Sequence, residues 1–269
     1  MISKAPRLNI LGVGVNALTL EDAVVTIGDT IESRLREYVC VVPAHSVMDC
    51  VRDPSLRQVF NGAGMCTPDG MAIVWLLKLH GHRRVSRVYG PDLMLAVCER
   101  SIAAGWRHFF LGGAAGVADE LVLHLDNRYP GLRVAGTLSP PFRQLSATED
   151  DELVALINAS RPDIVWVGLG SPKQERWMAA HAGKISAPVM IGVGAAFDFL
   201  SGHKVQAPRW MRQSGLEWLF RWAEEPLRLF PRYVRYPLFA ALVAAQAVGL
   251  NRYDIGEAPA DGDQHPGAP

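Results

Sequence analysis

Between Arg7 and about Ala195, short runs of β-branched and apolar residues alternate with longer segments of helical character. This alternation is typical of βαβ units around a largely parallel sheet. The runs predicted to be strands are 8–13, 38–42, 108–111, 133–137, 164–168 and 189–193. The segments predicted to be helices are 19–35, 54–61, 70–79, 91–104, 116–128, 148–158 and 172–181. Several strands are apolar throughout, as expected when helices cover both faces of a sheet. We therefore predict an α/β fold with a Rossmann-like, largely parallel sheet flanked by helices.

The character of the sequence changes after Gly202. Strand-like runs end there, and Trp, Arg and Pro dominate to about residue 250, which predicts a helical appendage. The following residues are polar and rich in Pro and Gly without apolar periodicity. Such a segment buries too little apolar surface to offset the entropy cost of ordering its backbone. The prediction is an α/β core at 1–202, a membrane-associating helical appendage at 203–250 and a disordered tail at 251–269.

The appendage is amphipathic between residues 216 and 238 when projected at about 100° per residue. One side gathers the apolar residues Leu216, Leu219, Phe220, Ala223, Leu227, Phe230, Val234 and Leu238. The other side gathers the basic residues Arg221, Arg228, Arg232 and Arg235. Three prolines must break or kink this segment, so we expect short consecutive helices: Pro226, Pro231 and Pro237.

The charge of the appendage favours an anionic membrane surface or a lipid diphosphate as partner. Residues 203–236 contain seven Lys and Arg against three Asp and Glu, in a chain whose totals are equal at 27 each. Aromatic side chains there are of the kind that favours a membrane interface. The alternative is that the apolar side packs on the core and the arginines are solvated.

Other features of the composition limit the class of protein. The equal charge totals do not indicate a nucleic-acid partner. The N-terminus lacks a secretory pattern, and the longest apolar stretch, 238–250, is shorter than the roughly 20 residues of a membrane span. We expect a cytoplasmic protein bound peripherally to the inner face of the cytoplasmic membrane. The four cysteines form no CxxC pair, which favours reduced thiols over a zinc site or a disulfide framework.

Two glycine-containing junctions between a predicted strand and a helix are candidate ligand sites. FFLGGAAGVADEL places Gly112 and Gly113 where backbone N–H groups favour an anion such as a diphosphate, although a tight turn without ligand is the alternative. The spacing is not a dinucleotide fingerprint. VGLGSPKQERW places Gly170, Lys173 and Gln174 where they could hold a sugar, a uracil or a phosphate. Its alternative is ordinary capping, with Ser171 as N-cap and the proline at the first helical position.

A third junction, CTPDGMAIVW, places Asp69 between an apolar run and a helix. A carboxylate there could act as general base on an acceptor hydroxyl, although an N-cap is the alternative. In the nearby segment RVYGPDL, Arg87 is a permanent cation suited to phosphate or, alternatively, a surface residue. The one DxD pair, Asp261 and Asp263, lies in the predicted tail, so we expect no catalytic metal and no cofactor.

Several blocks between residues 8 and 250 resemble one family in sequence and order: PDGMAIVW, RVYGPDL, FFLGGAAGVA, VWVGLGSPKQERW, GVGAAFDFLSG, APRWM, GLEWLFR, EEPLRL and PRYVRY. They are similar to the WecG/TagA/CpsF glycosyltransferases, glycosyltransferase family 26, for which SPKQE and GLEW are specific. The resemblance implies inverting, metal-independent transfer from a UDP-sugar to a polyprenyl-diphosphate-linked saccharide. It also implies Asp69 as base, Arg87 as a phosphate-side cation, Gln174 as a substrate-binding amide, and appendage arginines that complete the site.

The sequence departs from the family pattern after the second predicted strand. Where many members have a Thr and an Asn, VVPAHSVMD has other residues, and we expect His45 or Ser46 to supply the polar contact. The donor is therefore N-acetylmannosamine or another sugar, such as a hexose or uronic acid of exopolysaccharide synthesis. Self-association into a homo-oligomer is a further expectation from the family. The alternatives are a non-catalytic scaffold of a polysaccharide assembly complex and, without support from a fingerprint, a nucleotide-dependent oxidoreductase.

Overall fold

A computed structural model describes residues 5–255, apart from the side chains of Arg228, Pro231 and Arg232. Within this range six strands form one sheet in the order β4-β3-β8-β7-β5-β6, with every neighbouring pair parallel. The strands are β3 (Glu37–Val42), β4 (Met65–Pro68), β5 (Arg107–Gly112), β6 (Arg133–Leu138), β7 (Ile164–Gly168) and β8 (Val189–Gly192). The predicted α/β fold with a largely parallel sheet is confirmed.

Helices cover both faces of this sheet, which explains why its strands are apolar on both sides. One face carries α1 (Leu20–Glu32), α5 (Gly90–Ala104), α6 (Val117–Arg128) and α9 (Ala196–Leu200). The other face carries α2 (Ala44–Arg52), α3 (Pro54–Asn61), α4 (Met71–Leu79), α7 (Ala147–Ser160) and α8 (Lys173–His181). The sheet therefore separates two apolar cores, and all four cysteines are buried and free within them.

The N-terminal segment is a hairpin, so the prediction of one strand at 8–13 was wrong. Strands β1 (Arg7–Ile10) and β2 (Val13–Asn16) pair antiparallel around Leu11 and Gly12, which both have positive φ. Such two-residue turns match the twist of hairpin strands. Buried Asn61 holds the hairpin, since its amide accepts from the Gly14 backbone N–H and donates to the Gly12 carbonyl.

Three further elements of the core were not predicted from the sequence: strand β4, helix α2 and the short helix α9. Strand β4 is short and ends in proline, so its composition does not favour a strand. Its position at the edge of the sheet, where a proline is tolerated, explains why it forms. Helix α2 contains the β-branched and small polar residues that weaken intrinsic helix propensity. It forms because its apolar side, including Val47 and Met48, is fully buried against the sheet.

The appendage consists of short consecutive helices, as predicted. They are α10 (Arg209–Gln213), α11 (Glu217–Glu224), α12 (Pro226–Tyr233) and α13 (Tyr236–Ala247). Pro226 and Pro237 lie in the first turns of α12 and α13, where a missing N–H costs nothing. Helix α12 continues past Pro231, so a break there is not observed. No helix within residues 5–255 is both long enough and apolar enough to cross a bilayer.

The segment after α13 returns to the hairpin. The Asn9 side chain donates to the Tyr253 carbonyl, and the Gln246 amide in α13 accepts from the Leu11 N–H and donates to the Asn9 carbonyl. Residues 251–255 of the predicted disordered tail are therefore held against β1. The rest of that predicted tail, with Asp261 and Asp263, lies outside the described residues.

Candidate active site

The predicted site residues lie at one edge of the sheet, where the carboxyl ends of the parallel strands meet. Asp69 follows β4, residues 43–46 follow β3, and residues 169–174 follow β7. Gly112 ends the adjacent strand β5, and Gly113 follows it. In open α/β sheets this edge is where ligands bind.

A cavity of about 110 Å³ lies at this edge between the core and the appendage. It brings together three predicted residues, His45, Asp69 and Arg87, with the predicted appendage residue Arg221. The other lining residues are Pro43, Ala44, Gly70, Met71, Ala72, Arg212, Gly215, Glu217, Trp218, Tyr233 and Tyr236. A larger cavity of about 240 Å³, between the hairpin, α4 and α13, contains none of the predicted site residues.

Asp69 is fixed in the cavity wall through one of its two carboxylate oxygens. Its Oδ1 accepts from Arg87 Nε over 2.8 Å and from the Gly70 N–H over 2.6 Å. In the described part of the chain its Oδ2 makes no hydrogen bond or ion pair. The N-cap of α4 is Gly70, so the alternative interpretation of Asp69 as a cap is not observed. One carboxylate oxygen therefore remains for a ligand.

Arg87 lies between two carboxylates and is largely buried. The Val88 N–H donates to the Pro68 carbonyl and so holds this segment beside β4. Arg87 Nη1 contacts Glu217 Oε2 in α11 over 2.6 Å, while Nε contacts Asp69. Burial by itself lowers the pKa of the guanidinium, but the two carboxylates outweigh it and raise the pKa above its ordinary value. Arg87 is thus a charged bridge between core and appendage, not a free surface residue.

An aromatic cluster from the appendage forms the other side of the cavity. The rings of Trp218, Tyr233 and Tyr236 meet edge to face with centroids 5.3–6.3 Å apart. The ring of Tyr89, in the core, lies under the Arg87 guanidinium at 4.2 Å. Burial raises the pKa of Tyr89 and of Tyr236 well above the ordinary value, so both phenols stay neutral.

Two arginines of the predicted basic face have described side chains, and both contact the protein. Arg221 lies over the Phe199 ring at 5.6 Å and lines the cavity. Arg235 pairs with Asp49 of α2 over 3.0 Å. The side chains of Arg228 and Arg232, which belong to the same predicted basic face, lie outside the described part of the structure.

Much of the apolar side of the appendage faces solvent instead. Leu227 is 93% exposed and Phe230 is 56% exposed, whereas Leu229 between them is buried. The alternative in which this apolar side packs on the core therefore does not hold for Leu227 and Phe230. The amphipathic pattern was recognised correctly from the sequence, but periodicity alone does not show which side faces the core.

The SPKQE junction contributes no residue to the lining of the cavity, and its amide is buried. Gln174 is only 4% exposed, and its Nε2 donates to Glu175 Oε1 over 2.9 Å. Lys173 is exposed at the start of α8. The N-cap of α8 is Pro172, so the alternative with Ser171 as N-cap is wrong. Ser171 Oγ lies 3.5 Å from Ser46 Oγ, which joins this junction to the end of β3.

The three predicted site glycines differ in their surroundings. A Cβ on Gly112 would lie 2.5 Å from the Gly168 carbonyl carbon, so close contact between β5 and β7 requires glycine there. Gly113 and Gly170 have positive φ, and a Cβ on Gly170 would meet no atom within 4 Å. Tight packing therefore explains Gly112 without a ligand, whereas Gly170 borders open space.

Glu217 and Arg212 were not assigned a role from the sequence, and the three aromatic residues of the cluster were expected at a membrane interface, whereas they line the cavity. The GLEW block containing Glu217 and Trp218 was recognised as characteristic, but nothing in its spacing shows that it reaches Arg87. Within residues 5–255 there is no group of three or more His, Cys, Asp or Glu side chains placed to hold a metal ion.

Residues 8–253 match the glycosyl transferase family WecG/TagA/CpsF, a range that includes both the core and the appendage. The chain belongs to this family. It is therefore a glycosyltransferase, and the resemblance found in its sequence blocks is confirmed.

Three curated relatives of the chain are each named N-acetylglucosaminyldiphosphoundecaprenol N-acetyl-beta-D-mannosaminyltransferase. The Bacillus spizizenii protein is 30% identical over 69% of this chain and 72% of its own length. The Bacillus subtilis protein is 28% identical over 79% and 81%, and the Staphylococcus aureus protein is 26% identical over 81% and 85%. The WecG/TagA/CpsF relatives thus match most of the glycosyltransferase chain.

Proposed function

We propose that this glycosyltransferase moves a sugar from a UDP-sugar to a polyprenyl-diphosphate-linked saccharide, with inversion and without a metal ion. The observation that carries the proposal is Asp69, whose Oδ1 is anchored while Oδ2 remains available in the cavity. The printed names of the Bacillus and Staphylococcus relatives support the acceptor class and N-acetylmannosamine as the first donor to test.

In the proposed reaction Asp69 Oδ2 accepts the proton of the acceptor hydroxyl as its oxygen attacks the anomeric carbon. The new bond joins that oxygen to the anomeric carbon, and the bond from the anomeric carbon to the diphosphate breaks. Because attack comes from the face opposite the leaving UDP, configuration inverts. The proton remains on Asp69 until solvent removes it.

The departing diphosphate gains negative charge that cationic side chains would offset. Arg221 lines the cavity and makes no ion pair among the residues that the structure describes. Arg212, from α10, lines it as well. Arg87 has Nη2 as its remaining donor, because its Nε and Nη1 are held by the two carboxylates.

The remaining predicted residues are proposed to hold the donor along the same sheet edge. Gln174 and Lys173 would contact the sugar or the phosphates, and Gly170 leaves space for them. His45 lines the cavity, whereas Ser46 is buried against Ser171, so His45 is the better candidate for direct contact with the sugar.

We propose that the glycosyltransferase docks on the inner face of the cytoplasmic membrane through its appendage. Exposed Leu227, Phe230 and Trp210 supply apolar surface that can enter the interface. A lipid-linked acceptor would then reach the cavity, whose far wall is built by α11, α12 and α13.

The test is release of UDP by purified protein with EDTA, a panel of UDP-sugars and a polyprenyl-diphosphate-linked saccharide in detergent. Acceptor-dependent release from one donor is expected, and an inverted linkage in the product supports the displacement mechanism. If the folded protein releases no UDP with any donor of the panel, the proposed substrates are wrong. If UDP is released only after Mg²⁺ is added, the reaction is not independent of metal.

A further inference from the structure

Glu217 joins the appendage to the proposed base through a single arginine. It lies in the first turn of α11 and is 8% exposed. Its Oε2 lies 2.6 Å from Arg87 Nη1, while Arg87 Nε lies 2.8 Å from Asp69 Oδ1. The side chains of all three residues are at most 16% exposed, so water screens these charges weakly.

The charges of this triad determine how strongly Asp69 attracts a proton. An arginine beside a carboxylate stabilises its charged form and so weakens it as a base. A second carboxylate on the same arginine offsets that cation, and the triad then carries one net negative charge. Glu217 contacts Arg87 at Nη1, which also donates to the Arg212 carbonyl, while Arg87 Nε holds Asp69 Oδ1.

We propose that Glu217 is a positioning residue that keeps Asp69 basic by sharing the charge of Arg87. This inference rests on the proposed function, in which Asp69 is the general base. Glu217 does so from the appendage, so the basicity of a core carboxylate depends on a residue of α11.

Other charged and titratable groups also face Asp69 and must be held constant in the test. They come from α2, from the segment before α5, and from all four appendage helices: His45, Tyr89, Arg212, Arg221, Tyr233 and Tyr236. Every variant below leaves these residues unchanged, so a difference between variants reports on Glu217.

The test measures kcat against pH for the wild type, Glu217→Gln and Glu217→Asp, at saturating donor and acceptor. Glutamine keeps an oxygen for Arg87 Nη1 but removes the negative charge. We expect the acid limb of the Glu217→Gln profile to move to lower pH by about one unit, and plateau kcat to fall roughly threefold because Asp69 is a weaker base. Glu217→Asp keeps the charge but moves it away, so its limb should move in the same direction by less.

The matched control is Glu224→Gln, an exposed carboxylate on the same helix, whose profile should coincide with the wild type. If Glu217 only stabilised the fold, the Glu217→Gln substitution would lower the melting temperature and would reduce kcat by the same factor at every pH. An unmoved acid limb in Glu217→Gln therefore overturns the inference. If that variant does not fold, Glu217→Asp decides, and a limb at or above the wild-type position contradicts the proposal.

The failure of this inference differs from failure of the proposed function. If Asp69→Asn retains turnover with the same acid limb, Asp69 is not the base and the function proposal fails. If Asp69→Asn is inactive while Glu217→Gln has the wild-type limb, the base assignment stands and only the role of Glu217 is wrong.

Discussion

Trp166 donates a hydrogen bond from Nε1 to Nδ1 of His108 over 3.0 Å, between two neighbouring strands of the sheet. The rings are nearly parallel, with an interplanar angle of 2°. His108 is fully buried, and because Nδ1 accepts, its proton is on Nε2. Burial lowers the pKa of His108 to about 3, so the folded protein keeps it neutral.

This burial predicts acid-sensitive stability. Because the folded pKa lies below the unfolded value near 6.5, the unfolded chain binds the extra proton, and stability is lost as pH falls from about 6.5 toward 3. His108→Gln keeps an acceptor for Trp166 but does not titrate. In urea unfolding at pH 7 and pH 4.5, the wild type should lose more stability than the variant, by up to roughly 1.4 kcal/mol per pH unit. Equal losses would contradict this assignment.

The contact between Gly112 and Gly168 predicts different effects for two Gly→Ala changes. Gly112→Ala places a Cβ against backbone that cannot move without disturbing β5 and β7. Gly170→Ala meets no atom, so only its positive φ opposes it, at about 1–2 kcal/mol. In denaturant unfolding we expect Gly112→Ala to cost about 2 kcal/mol more. Similar losses for both would show that the two strand ends can separate easily.

Asp69→Asn tests the proposed base directly. The amide keeps the shape of the side chain but cannot take a proton, so kcat should fall by about 10²–10⁴-fold while UDP-sugar affinity changes little. The control is Asp151→Asn, an exposed carboxylate on α7, which should retain full turnover. UDP release and calorimetric binding measure the two effects, and a less than tenfold loss would exclude Asp69 as the base.

The proposed docking on a membrane depends on the exposed apolar side chains of α12. The double variant Leu227→Gln, Phe230→Gln should sediment with anionic vesicles roughly tenfold more weakly than the wild type, because apolar area no longer enters the interface. Phe142→Gln changes a residue that is 86% exposed but lies outside the appendage, and it should bind as the wild type does. Unchanged sedimentation of the double variant would place the docking surface elsewhere.

The sequence was most informative where local pattern and packing agree. Alternating apolar runs predict the parallel sheet because strands buried on both faces must be apolar. Strand β4 and helix α2 escaped prediction because burial beside the sheet, not propensity, stabilises them. The hairpin was missed because Leu11 is an unusual residue for a positive φ.

For the candidate site, strand-to-helix junctions indicated Asp69 and Gln174, and the departure from the family pattern indicated His45; all three follow the carboxyl ends of strands in the parallel sheet. Sequence could not reveal Glu217, since its contact with Arg87 joins residues 130 positions apart. Nor could the helical projection reveal that Arg221 faces the cavity while Leu227 faces solvent. Both facts depend on how the appendage is oriented on the core.

The hydrogen bonds of Gln246 to the first hairpin have a consequence for synthesis on the ribosome. The hairpin precedes α13 by more than 200 residues in the chain, yet the Leu11 N–H and the Asn9 carbonyl both hydrogen-bond to Gln246 in α13. These two hydrogen bonds can form only after α13 has been synthesised. The same helix carries Tyr236 to the cavity, so its synthesis is required both for the contact with the hairpin and for that part of the cavity wall.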